Sequence, residues 1–268
     1  ARGARSLARG SEGEAASGVP GGRDRLGWVG GVRLVSEHGG EDHPAPAAHR
    51  AFEGRVLERR FVGKRPEDGV AVAERVAGIS TIAHALSFSH AIERIAGVTP
   101  PPRARLWRAI HAELERIAHH LHVAAALAET TALSVGLARF LILKEDVLRL
   151  RARLCGSRFG RGVVAPGGLS AEPMISAESL ESDLERFEQD LRRDRSLLLG
   201  TTSFTDRLHG TGRLTRAMVE DHGGVGPVAR ACGISTDARF ERPYDAYAHL
   251  GFEVATRDEG DAMARLEV

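Results

Sequence analysis

Glu74-Arg75-Val76-Ala77-Gly78-Ile79-Ser80-Thr81-Ile82-Ala83-His84 is the stretch on which the reading of this chain turns. It lies within residues 69–96, where Val72, Val76, Ile79, Ala83 and Leu86 recur at helical spacing, so one long helix is expected there. Gly97 ends that pattern, and Pro100-Pro101-Pro102 forces an extended break behind it. A second helix is expected over residues 103–130, with Leu106, Ile110, Leu114, Ile117 and Leu121 as its apolar stripe. A third follows over 134–157 through Leu137, Phe140, Leu141, Val147, Leu150 and Leu154. Pro166-Gly167-Gly168 reads as a turn, and a fourth, more polar helix over 177–199 reads as a surface element. Four long helices with short breaks imply a mainly α (α+β) fold, a long-helix bundle core over residues 69–268.

Outward from this core the signals weaken. Residues 1–25 are rich in Gly, Arg and Ser without periodicity and are expected to be disordered. Residues 26–68 read as a small β region, with alternating stretches over 28–35 and 52–62 around a loop of Gly, His and Pro at 37–48. The chain opens on alanine and closes inside the amphipathic pattern Asp261-Ala262-Met263-Ala264-Arg265-Leu266-Glu267-Val268. The helical core is therefore expected to be incomplete at its C-terminus.

Composition removes several function classes. Only Lys64 and Lys144 interrupt an otherwise all-arginine set of basic residues, a bias read as that of a GC-rich genome. The net charge of +1 gives no strongly basic face, so a nucleic-acid partner is not expected. The longest apolar run, residues 123–128, is far too short to cross a bilayer, and no apolar stretch follows the basic residues of 1–25 as in a signal peptide. Two cysteines, Cys155 and Cys232, argue against a disulfide scaffold and fit a reducing cytoplasm.

The quoted stretch closely resembles the N-terminal metal motif of nickel-iron hydrogenase large subunits, a Glu-Arg pair followed by Cys-Gly-Ile-Cys, with Ala77 and Ser80 at the cysteine positions. The resemblance continues through Ala91-Ile92-Glu93-Arg94, Gly97, Pro101-Pro102-Arg103-Ala104 and Glu113-Leu114-Glu115-Arg116-Ile117-Ala118-His119-His120-Leu121. It extends in family order through Pro166-Gly167-Gly168, Thr211-Gly212-Arg213-Leu214, the run from Gly226 to Gly233, Asp237-Ala238-Arg239, the run from Pro243 to Tyr247 and Gly260-Asp261. It covers residues 50–268, and its specificity lies in the ordered set. The family comprises the D (49-kDa) subunit of NADH-quinone oxidoreductase, in respiratory complex I, and the large subunits of membrane-bound energy-converting hydrogenases.

That resemblance implies an iron-sulfur small subunit as partner and electron donor. It also implies a membrane arm contacted indirectly, and a position peripheral to the inner face of the cell membrane. Soft thiolates hold nickel, and on a helix residues 77 and 80 would aim two ligands at one site. Ala77 cannot ligate and the Ser80 hydroxyl suits a soft metal poorly, so a nickel-iron centre is not expected and no residue is assigned as a metal ligand. In the 49-kDa member of the family the vacated cavity takes a quinone headgroup. The resemblance sets the cavity at Arg75, Ala77, Ser80 and His84, the headgroup tyrosine at Phe88, and the aspartate that partners the quinone histidine at about Thr130, with Glu129 adjacent. The family's His-Pro loop resembles His43-Pro44-Ala45-Pro46-Ala47-Ala48-His49 at a different spacing. Quinone reduction needs a proton donor at each carbonyl oxygen, which His43 or His49 offers and Phe88 does not. The reading is an oxidoreductase subunit with a quinone-type cavity. The alternative is a non-catalytic scaffold whose active site is lost.

Other patterns have plainer readings. His111, Glu115, His119 and His122 fall on one helical stripe of metal-ligand type, but no second helix offers matching ligands, so they read as a solvated or hydrogen-bonded face. His84 and His120 read as buried hydrogen-bonding residues. Gly223-Gly224-Val225-Gly226-Pro227 lacks the lysine of a phosphate loop and reads as a tight turn. Arg75, Arg230, Asp237 and Arg239 read as ion-pair residues at least as readily as catalytic ones, Glu145 with Arg149 as an i,i+4 pair, and both cysteines as small buried apolar residues.

Overall fold

The computed structural model describes residues 57–268 fully and, ahead of them, the backbone of three short strands. The chain divides into two compact units, residues 1–60 and 61–268. In the first, β1 (Ser17–Pro20), β2 (Val32–Ser36) and β3 (Ala47–Arg50) form an antiparallel sheet in that order. Val19 lies opposite Leu34, and Leu34 opposite Ala48. The alternation over 28–35 thus contributes β2, and β1 falls within the stretch read as aperiodic. The alternation over 52–62 does not give a strand across 57–60, which form a 3-10 turn (Leu57–Arg60). Glu58, Arg59 and Arg60 are exposed there, and so short an alternation suits a solvated turn equally well.

The second unit is helical: α1 (Pro66–Ala73), α2 (Thr81–Ala96), α3 (Pro102–Thr130), α4 (Ser134–Cys155) and α5 (Ala177–Leu199), with a two-residue hairpin of β4 (Val164–Ala165) and β5 (Gly168–Leu169) between α4 and α5. Short helices α6 (Thr202–Leu208), α7 (Arg216–Asp221), α8 (Pro227–Arg230), α9 (Ala238–Glu241) and α10 (Ala262–Glu267) follow. The mainly α fold expected from periodicity is the fold observed. Gly97 ends α2 in the left-handed conformation, and the glycine-rich run before α8 is a turn with Gly226 at positive φ.

The main core lies between α3, α4 and α5. Trp107, Leu114, Leu121, Phe140, Val147 and Leu154 fill it, closed by Leu180, Leu198 and Phe204. The buried face of α3 is turned slightly from the expected stripe: Leu106 is 45% exposed, as is 42% of Leu141 on α4. Trp107 takes the core in place of Leu106, and Phe140, expected in the stripe, is buried there, since an aromatic ring removes more apolar surface from water than a leucine at the helix margin. As expected, α5 is mostly exposed. It is anchored by Leu180 and Leu198 and by buried Asp194, which accepts two hydrogen bonds from Arg139 of α4 at 2.9 and 3.0 Å. Among the described residues, no helix is long and apolar enough to cross a membrane.

The single helix expected over 69–96 is broken in two. The backbone leaves α1 after Ala73 and returns to helix only at Thr81. In a continuous helix Ile82 and Ala83 would donate to the carbonyls of Gly78 and Ile79. Instead both donate to the Glu115 carboxylate of α3, at 2.8 and 3.0 Å. The Ile79 carbonyl accepts from His119 Nε2, one turn further along α3, at 3.0 Å. Two side chains at i,i+4 on a neighbouring helix thus replace the hydrogen bonds of the broken turn, and Gly78 lowers the cost of leaving it.

Candidate functional site

The loop of residues 74–80 interrupts the helices beside the core, and it is held from three sides. At its start the Glu74 carboxylate, 4% exposed, accepts from the Gly162 amide at 2.6 Å. Arg75 is exposed and its guanidinium turns back onto the Ala71 carbonyl. At its end Ser80 Oγ lies 3.5 Å from His119 Nε2, the nitrogen that donates to Ile79.

Beneath the loop, Glu115 is nearly sealed from solvent and works as a remote cap for α2. Its negative charge sits at the helix end where the backbone N–H groups are unpaired, and Ser80 itself makes no side-chain cap. Arg151 of α4, 1% exposed, approaches Glu115 Oε2 at 3.4 Å. Gly160 leaves room for this guanidinium: a Cβ there would lie 2.8 Å from Arg151 Nη2. His111, also 1% exposed, is held neutral, with its pKa pushed down to about 4 by burial and by the charge of Arg151.

The structure brings some of the expected site residues together and separates others. Ala77 and Ser80 do not share a helix face, because they belong to the loop, although both remain half-buried on it. His84 is half-buried one turn into α2. Phe88, another turn along, packs its ring against Gly69 of α1, where any Cβ would collide with the ring, and stacks on Phe61 with centroids 5.4 Å apart. Glu129 and Thr130 are exposed at the far end of α3. Eleven residues beyond His119, Thr130 lies about 16 Å along the helix axis from the loop. The Thr130 hydroxyl donates to Leu127 O at 2.9 Å. His43 lies outside the described residues. His49 is described only through its backbone in β3, opposite Arg33.

The metal-like stripe of α3 disperses. His111 is buried, Glu115 caps α2, His119 holds Ile79, and His122 Nδ1 lies 3.3 Å from Lys144 Nζ. Among the described residues no group of three or more His, Cys, Asp or Glu is placed to hold a metal ion. The loop's donor set does not fit a nickel-iron centre either, since Ala77 brings no donor and Ser80 brings a hard oxygen. The two thiols are engaged elsewhere: Cys155 Sγ donates to Arg151 O and Cys232 Sγ to Leu214 O. Burial pushes the Cys155 thiol pKa up. Cys232 is buried, as expected, and Cys155 half-buried. His120 is exposed rather than buried, because α3 turns it away from the core.

Two networks are invisible to sequence periodicity. Arg108 of α3 is fully buried and makes five hydrogen bonds. Two go to Glu93 of α2 (2.6 and 3.2 Å), one to Asp245 (3.4 Å), and two to the Ala165 and Gly168 carbonyls of the β4–β5 hairpin. Asp245, at φ 47°, also meets His90 Nε2 at 2.9 Å. The second network joins Glu113 to Tyr247 (2.5 Å) and Arg239 (3.1 Å), and Arg239 to Asp237 (2.6 Å). The Arg239 guanidinium pulls the Asp237 carboxyl down to about 2. Arg230 lies 3.8 Å from Asp237, so the arginines and aspartate of the C-terminal motifs form an ion-pair frame. Glu93, Pro243-Tyr244-Asp245 and Asp237-Ala238-Arg239 all lie in the ordered motifs, and that shared membership is the signal in the sequence that could have paired them.

Comparison with known proteins identifies the family. The family model described as "Respiratory-chain NADH dehydrogenase, 49 Kd subunit" matches residues 131–268, and that described as "Nickel-dependent hydrogenase" matches residues 55–125, which include the loop. Formate hydrogenlyase subunit 5 of Escherichia coli (strain K12) is 31% identical over 201 residues, covering 74% of this chain and 35% of that protein. Carbon monoxide-induced hydrogenase of Rhodospirillum rubrum is 29% identical over 242 residues, covering 90% and 64%. The D subunit of NADH-quinone oxidoreductase from Campylobacter curvus (strain 525.92) is 30% identical over 241 residues, covering 88% and 58%. The chain thus spans between about a third and two thirds of the length of these relatives. With a hydrogenase match across the loop and a 49-kDa match over the half of the chain that follows, this protein belongs to the family of complex I 49-kDa subunits and nickel-iron hydrogenase large subunits.

Proposed function

We propose that this chain serves in an oxidoreductase complex as a large subunit of the complex I or energy-converting hydrogenase type. In this reading it takes electrons from an iron-sulfur partner, peripheral to the inner face of the membrane, and presents a quinone-type cavity at the loop of residues 74–80. The supporting observation is the loop itself. It keeps an irregular backbone wedged between α1, α2 and α3, yet offers Ala77 and the Ser80 hydroxyl where nickel would need thiolates. A hydroxyl next to an imidazole suits a carbonyl headgroup, which takes hydrogen bonds from neutral donors. His43 and His49 remain in this reading as candidates for proton supply, whereas Glu129 and Thr130, exposed at the far end of α3, do not.

One observation favours the scaffold alternative. Phe88 buries its ring against Gly69 and Phe61, so the position implied for a headgroup hydroxyl carries an apolar packing contact. Equilibrium binding of a quinone analogue to the intact complex separates the two. The quinone reading expects saturable binding that weakens at least several-fold in Ser80→Ala. Undetectable binding supports the scaffold, and stoichiometric nickel in the purified complex contradicts both.

A further inference from the structure

The facing sides of α2 and α3 carry a series of buried polar residues. On α2, Thr81, Ser89 and Glu93 fall on one i,i+4 stripe with Ala85 between them, and all four are buried. On α3 the opposing residues are Arg108, His111 and Glu115, each at most 3% exposed. Glu115 meets the N-terminus of α2 and Arg108 meets Glu93 near its C-terminus, so the helices run antiparallel. Interpolating between those contacts brings Ser89 and His111 to the same level of the seam. Their neighbours along the two helices, Ala85 and Ala112, are small and buried in one apolar cluster.

Glu115 and Arg108 fasten the seam by directed bonds, but other polar groups along it stay unpaired. Thr81 Oγ1, Ser89 Oγ, His111 Nδ1 and Arg151 Nε are sealed from solvent and meet no hydrogen-bond partner among the described residues. An orphaned buried polar atom forfeits its hydration without return, and native proteins rarely tolerate several in one place. Internal water is the ligand that satisfies mixed hydroxyl, imidazole and guanidinium groups at once, because each molecule donates and accepts.

We propose that the α2–α3 seam binds a file of internal water molecules, linking Thr81 and Arg151 beneath the loop to Ser89 and His111 and onward to the His90–Asp245 pair. The His90 side chain is 26% exposed, so the file ends at the surface. Such a hydrogen-bonded file carries protons between the loop and solvent without opening the core, each hop passing one proton on and restoring the carrier.

Two substitutions decide the matter by the sign of their effect. In a dry seam, Thr81→Val and Ser89→Ala each delete an unsatisfied hydroxyl and raise the Tm of the intact protein. In a hydrated seam each removes an anchor of bound water, and the Tm falls by a few degrees in both variants. A rise in either variant overturns the proposal. A high-resolution crystal structure of the intact protein gives the second reading. Ordered water within hydrogen-bonding distance of Thr81 Oγ1, Ser89 Oγ and His111 Nδ1 is expected, and a dry map there also overturns it. Neither measurement depends on quinone binding, so the quinone reading and the water file fail separately.

Discussion

α3 meets its two neighbours on opposite terms. Against α4 it presents Leu114, Leu121, Ala125 and Ala128 to Phe140, Val147 and Leu154, an apolar interface held by area removed from water. Against α2 it presents Arg108 and Glu115, which bond Glu93 and the Ile82 and Ala83 amides, and His119, which bonds the Ile79 carbonyl of the loop before it, with His111 buried between them. The first interface tolerates small shifts, because burial has no direction. The second does not, because every group in it must find its partner or leave a charge or dipole unpaired in the core. One helix thus supplies a scaffold on one face and fixes an irregular loop on the other, and the proposed site lies on the fixed side.

The contrast can be broken most severely at Arg108. Arg108→Met leaves Glu93 and Asp245 buried without their cation and should cost about 4 kcal/mol in denaturant unfolding. Adding Glu93→Gln should return part of that loss, since the penalty is the uncompensated charge. On the apolar face, Leu154→Ala should cost about 3 kcal/mol, and that cost should not vary with pH.

The polar face, by contrast, should respond to acid. His111 is neutral in the folded protein with a pKa of about 4, against 6.5 when unfolded. As the pH falls below 6.5 the unfolded chain takes up a proton that the folded chain refuses, so stability declines toward pH 4 and levels off beneath it. The loss amounts to about 2–3 kcal/mol. A His111→Asn variant should flatten that slope in stability measured from pH 7 to pH 4. The smallest effect sharpens the contrast at the loop. Glu115→Gln should cost about 2 kcal/mol and speed amide exchange at Ile82 and Ala83 far more than within α4.

The same division explains what is legible in the sequence. α3, α4 and α5 can be read to within one or two residues at each end, because a 3.6-residue apolar period reports burial directly. The break between α1 and α2 cannot, because the groups that replace its hydrogen bonds lie more than thirty residues away on α3. Periodicity also passes over the α2 stripe of Thr81, Ala85, Ser89 and Glu93, whose burial depends on polar partners and not on hydropathy. At the site, that Ala77 brings no donor and Ser80 only a hydroxyl is plain from the sequence alone. The remote capping role of Glu115 is hidden by its place in a metal-like stripe, and the packing of Phe88 on Gly69 emerges only in three dimensions.

The most direct test of the quinone reading is photo-crosslinking of an azido-quinone to the intact complex, with the labelled peptides mapped by mass spectrometry. Labelling confined to residues 74–88, and suppressed by excess unlabelled quinone, is the predicted result. Labelling elsewhere on this chain, or on partner subunits alone, would contradict it.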